Sequence, residues 1–167
     1  GDDFAIWVWD TPPRALRAHK GKIAALALSP DGTSLASGSL DGDIRLWNLA
    51  QGDSRVLPSP GAGVNAVAFD AGGGVLFAAT SHGVLWRYAL TGDTPPRPLA
   101  RHGFGINRLI PGPGWVAYGA VDGGTRVVDA VSGDQIADFT LDRRPILSMD
   151  FHAASHQMAV GDGHGYI

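Results

Sequence analysis

The strongest constraint on this chain is a period of about forty residues. The stretch running from His19 through KGKIAALALSPDGTSLASGSLDGDIRLWN to Leu49 can be laid along the rest of the sequence, and four segments match it. Aligned on an aromatic or apolar residue near the end of each unit, Trp9, Trp47, Tyr88 and Val128 follow one another at intervals of 38, 41 and 40 residues. The closing AVGDGHGYI matches SGSLDGDI, which sets Ile167 opposite Ile44 and Ile6. The units are therefore about 11–49, 50–90, 91–130 and 131–167, with 1–10 as the end of a preceding unit. Units this short cannot each enclose a core, so they must bury their faces against one another.

Within the clearest unit four short apolar runs are separated by turn chemistry: ALRAH (15–19), KIAALALS (22–29), TSLASGS (33–39) and DIRLWNL (43–49). Pro30-Asp31-Gly32 suits a tight turn, and Asp41-Gly42 is a strong two-residue hairpin signal. Consecutive runs are accordingly expected to be antiparallel neighbours. The second run is apolar on both faces, as in a strand covered on two sides. The first carries Arg14 and Arg17 and suits an outer edge guarded by charge.

Composition agrees. All 16 acidic residues are Asp, and Lys20 and Lys22 are the only lysines among 13 basic residues, while Gly and Pro number 24 and 11. Asp and Gly favour turns, and Glu and Lys are the residues that line the wet faces of helices, so a helical bundle is excluded. With no Cys there are no disulfides and no thiolate chemistry. A net charge of −3 gives no general attraction to nucleic acid or anionic lipid. No apolar run reaches the roughly 18 residues of a membrane span. The glycine-rich pieces GAG (61–63), AGGG (71–74) and PGPG (111–114) lack the order and the lysine of a phosphate loop. Abundant alanine and arginine suggest a bacterial source with a GC-rich genome.

Four antiparallel strands repeated at this period describe the blades of a β-propeller, and the residues resemble a named family. His19, SPDG (29–32), ASGS (36–39), Asp41 and Leu46-Trp47-Asn48 are similar to a near-complete WD repeat, with the name-giving pair at Trp9-Asp10. The resemblance is strong in the first unit and looser afterwards. It implies an all-β propeller of four-stranded antiparallel blades, about four of them present, forming part of a larger seven- or eight-bladed ring. FAIWVWD (4–10) could complete a blade begun by PILSMDF (145–151) and HQMAVGD (156–162), closing four blades. Residues 162–167 then duplicate residues 1–6, and two segments cannot fill one strand position. The sequence is therefore expected either to be cut from something longer or to join a second copy across open edges.

The resemblance also implies a structural hydrogen-bond network at His19, Ser37, Asp41 and Trp47. Ser37 lies mid-strand rather than on a strand-to-helix elbow, so these residues do not form a hydrolase triad. In the second unit the matching positions hold Ala78, His82 and Tyr88, and in the third His102, Tyr118, Asp122 and Val128, so those blades are expected to rest mainly on apolar packing. His152, His156 and His164 beside Asp150 and Asp162 have a zinc-like spacing, but in a turn rather than on a helix, and no metal or other cofactor is expected. By resemblance, the loops entering the innermost strands lie at a partner-binding face, with Lys20, Lys22, Phe104, Arg143 and Arg144 as contact residues. The function implied is a non-enzymatic scaffold for a protein or peptide. An accessory or sensor propeller of a larger enzyme or electron-transfer protein is the alternative, since fold alone does not decide function.

Overall fold

A computed structural model describes residues 4–140 and 143–163. The described residues are all-β, with sixteen strands in chain order. The first pair is β1 (Ala5–Val8) and β2 (Arg14–Arg17). Blade I follows, with β3 (Ile23–Leu28), β4 (Ser34–Ser39), β5 (Ile44–Asn48) and β6 (Ser54–Leu57). Blade II holds β7 (Val64–Phe69), β8 (Val75–Thr80), β9 (Val84–Ala89) and β10 (Arg97–Arg101). Blade III holds β11 (Ile106–Gly112), β12 (Trp115–Ala120), β13 (Gly124–Asp129) and β14 (Gln135–Thr140). The last pair is β15 (Ile146–His152) and β16 (Gln157–Asp162).

Each of the three blades is an antiparallel meander in sequence order, joined by the short turns that Gly, Pro, Asp and Ser supply. The blades pack face to face in succession through two cores. One joins Ala36, Ile44 and Leu57 of blade I to Leu76, Ala78 and Tyr88 of blade II. The other joins Phe77, Leu85 and Leu99 of blade II to Val116, Tyr118 and Val128 of blade III. A third cluster lays Ile6 and Leu16 of the first pair on Leu35 and Trp47 of blade I.

Three expectations are corrected. Consecutive runs are not always neighbours: β2, the first run of the clearest unit, pairs with β1 and not with β3. The sequence period and the sheet are out of phase by one strand, because β2 is the outer strand of the sheet before it. Nor is β3 covered on both faces. Ala24, Leu26 and Leu28 are exposed, because β1 and β2 supply only an outer pair on that side. The two terminal pairs also remain separate two-stranded sheets, so FAIWVWD does not complete the β15–β16 sheet within this chain. Ile167 lies outside the described residues.

Candidate functional site at the loop end of the blades

One end of the arc is knitted by a bond that recurs in every blade. The amide after the second strand donates to the loop entering the innermost strand: Leu40 N to Lys22 O at 2.9 Å, Ser81 N to Gly63 O at 2.9 Å and Val121 N to Gly105 O at 3.0 Å. The entry loops and the second hairpin turns therefore share one surface. Lys20, Lys22 and Phe104 are exposed there. Arg143, exposed and at a φ of 51°, and Arg144 lead into β15 at the corresponding place in the last pair. Arg144 Nη1 is 4.0 Å from Asp162 Oδ2, so it is tied to its own hairpin.

Beneath this surface blade I carries a buried polar chain. The Trp47 indole N–H can only donate, so the Ser37 hydroxyl accepts from it at 2.8 Å and donates to His19 Nε2 at 2.7 Å. That leaves His19 Nδ1–H to donate to Asp41 Oδ2 at 3.3 Å. The same carboxylate also accepts from the backbone N–H groups of Lys20 and Asp43, each at 2.8 Å. The entry loop, the mid-strand serine, the turn aspartate and the buried indole are thus one connected unit.

Electrostatics match this neutral-ring arrangement. Burial lowers the His19 pKa below its ordinary 6.5, and the Asp41 charge offsets only part of that. Burial raises Asp41, but the donors from Asp43, Lys20 and Ser39, together with His19, outweigh it and hold the carboxyl below its usual 3.8. Because the unfolded chain protonates first, the stability contributed by His19 is full above about pH 6.5 and is lost as pH falls below it. Asp41 contributes in the same direction, at lower pH. Moving from pH 8 to pH 5 is therefore expected to lower the urea midpoint of the wild-type chain more than that of His19→Gln. Equal acid losses in the two chains would refute the assignment.

The other blades keep part of this unit. In blade II Ala78 removes the hydroxyl, and the Tyr88 hydroxyl donates instead to Pro58 O at 3.0 Å. In blade III apolar packing is not the whole account. His102 Nε2 meets both Asp122 oxygens at 2.9 and 3.0 Å. The Tyr118 ring, which stands where Ser37 does in blade I, packs edge-on 5.8 Å from the imidazole and leaves Nδ1 without a hydrogen bond. In the last pair His152 Nδ1 is bonded to Ser155 Oγ at 2.8 Å and His156 sits exposed in a turn, while His164 lies outside the described residues. Among the described residues no group of three or more His, Asp or Glu side chains is placed to hold a metal ion.

The comparisons with known proteins fall on the same stretch. Residues 11–48 match the family model described as WD domain, G-beta repeat. The chain carries a WD repeat. Human apoptotic protease-activating factor 1 is 29% identical over 128 residues, which are 70% of this chain and 10% of that protein. The Arabidopsis thaliana small ribosomal subunit protein RACK1z is 38% identical over 72 residues, 42% of this chain and 22% of that one. The chain spans between a tenth and a quarter of these two curated relatives' lengths. Both are eukaryotic, so the compositional hint of a bacterial source gains nothing from them. Among solved structures, the computationally designed Ika8 protein superposes with a TM-score of 0.84 at 22% identity, over 98% of this chain and 51% of that one. The designed Ika4 protein gives 0.77 at 24% identity, over 90% and 91%. These likenesses are of fold. The matched WD repeat extends from β2 to β5, the stretch that holds the His19–Ser37–Trp47 chain and its Asp41 anchor.

Proposed function

We propose that this WD-repeat chain is a non-enzymatic platform that holds a protein or peptide partner against the loop end of its blades. The observation that carries the reading is the make-up of that surface. Exposed Lys20 and Lys22 stand on a loop fixed by the Asp41 carboxylate, and exposed Phe104 stands on a loop fixed by the Val121–Gly105 bond. Arg143 and Arg144 extend the basic surface toward the last pair. Cationic and aromatic side chains on rigid loops suit partner binding, because little conformational freedom is lost when they are covered. The buried His19–Ser37–Trp47 chain serves as internal bracing under this surface. The scaffold role fits the WD repeat, and the binding of a peptide in particular is our extension of it.

The test compares capture by immobilised wild-type chain with capture by Phe104→Ala and by Arg143→Ala. Both side chains are exposed and, unlike Arg144, neither is in an ion pair with its own hairpin, so folding should be preserved. Affinity for a captured partner is expected to fall about tenfold or more in each variant, by the usual weight of interface aromatic and arginine residues. Unchanged capture of every partner by both variants would retire the loop-end proposal.

A further inference from the structure

The two ends of the arc are open in complementary ways, and the repeat shows what each lacks. At the position where Trp47 and Tyr88 are each 2% exposed, Trp9 is 85% exposed and Trp7 beside it 53%. On the innermost strand of blade I, Leu26 and Leu28 are 51% and 63% exposed, whereas Val67 and Phe69 at the same positions of blade II are both 7%. At the other end, Leu57 of blade I is 3% exposed, but its counterpart on β14, Phe139, is 53%. Phe139 lines an apolar groove of about 620 Å³ together with Trp115, Val127, Met158, Val160 and Thr125. The Thr125 Oγ1 is buried and has no hydrogen-bond partner.

We propose that a second copy of this chain covers these surfaces, with β1 and β2 of one copy completing the β15–β16 sheet of the other. The register follows from the β4–β5 ladder, in which Leu35 faces Trp47 and Ser37 faces Arg45. Met158 and Val160 hold the places of Leu35 and Ser37 in the last pair, judged from the matching ladders of β15–β16 and β3–β4. Trp9 then falls opposite Met158 and Trp7 opposite Val160, which turns both indoles into the groove those residues line. The counterparts of Trp9 and Thr125 share a core at the joints already formed: Trp47 with Ile6, and Tyr88 with Ile44. The same joint sets an indole N–H near the unpaired Thr125 hydroxyl.

The occupant is a second copy because the missing piece at each end is the piece left over at the other. Three complete sheets from each copy and two shared ones make eight, within the range of known propellers. The fit of almost the whole chain to 51% of a longer solved chain shows an arc of half that length. Two head-to-tail joints close the pair, so growth stops at two.

Light scattering and analytical ultracentrifugation of the 167-residue chain are expected to give twice the 17.4 kDa mass. Trp9→Asp and Phe139→Asp, each at an exposed position and so leaving the fold intact by circular dichroism, should each raise the dissociation constant about thirtyfold or more. Mixing the two variants restores one undamaged joint, so the mixture should associate more tightly than either alone. A chain monomeric at every concentration overturns the proposal, whether its Trp9 is quencher-accessible or is shielded by closure onto its own β16. So does a mass that keeps growing with concentration, or variants that pair as well as wild type.

Discussion

Trp47→Ala is expected to lower the unfolding free energy by about 3–5 kcal/mol, and Tyr88→Ala by less. Both side chains are 2% exposed and occupy the same place in successive blades, so the burial lost is similar in kind. They differ in what they hold. Tyr88 donates one bond to the Pro58 carbonyl, which keeps a second lone pair for other donors. Trp47 donates to Ser37 Oγ, and through it fixes His19 and the Asp41 turn. Removing the indole leaves a fully buried hydroxyl without its donor, and partly satisfied polar networks cost more than the single bond deleted. Urea midpoints at unchanged slope give the comparison. A Tyr88→Ala loss as large as that of Trp47→Ala would mean that the chain of bonds adds nothing beyond burial.

Gly83→Ala is the other large effect, expected to cost about 4 kcal/mol or more, while Gly92→Ala costs only about 1 kcal/mol. Both glycines have left-handed backbones, at φ of 73° and 75°. Around Gly92 there is open space, so only the backbone preference is lost. At Gly83 an added Cβ would lie 2.5 Å from the Phe104 carbonyl oxygen and closer still to that of His102. The turn between β8 and β9 is pressed against the loop entering β11, where His102 N donates to Gly83 O at 2.7 Å. Backbone meets backbone there, and no side chain can move aside. Chemical denaturation of both variants checks the contrast, and comparable losses would show that the joint between blades II and III yields easily.

The fold was legible where side chains alone enforce it. The period and Asp41-Gly42 identify blade I, and the family resemblance pointed to the His19–Trp47 set within it, whose buried indole and imidazole demand polar partners. The later units were expected to rest mainly on apolar packing, and blade III adds to that packing a bond between His102 and Asp122 at 2.9 Å, with Tyr118 in place of the serine. Trp9 was visible as a repeat position, but nothing in the order of residues tells that its neighbours are absent and that it stands open. The loop-end residues were found through the resemblance and not through local chemistry.

By itself the sequence determined the class and the strand count per unit, while the positions of the blade I polar chain came from the family resemblance. Turn residues and buried donors are local requirements, met within one unit. Only the tertiary structure decided where each sheet begins and ends, since β2 obeys the same local rules whichever neighbour it pairs with. It also decided that each innermost strand carries a bulge after its first residue, at Ile23, Val64, Ile106 and Ile146. No common residue marks those bulges. Each bulge re-aims the side chain that follows, and in blade II Asn65 Nδ2 donates to Ile106 O of the next blade at 3.1 Å. The two open faces are settled at the same level, because burial belongs to the pair of sheets that meet and not to either alone.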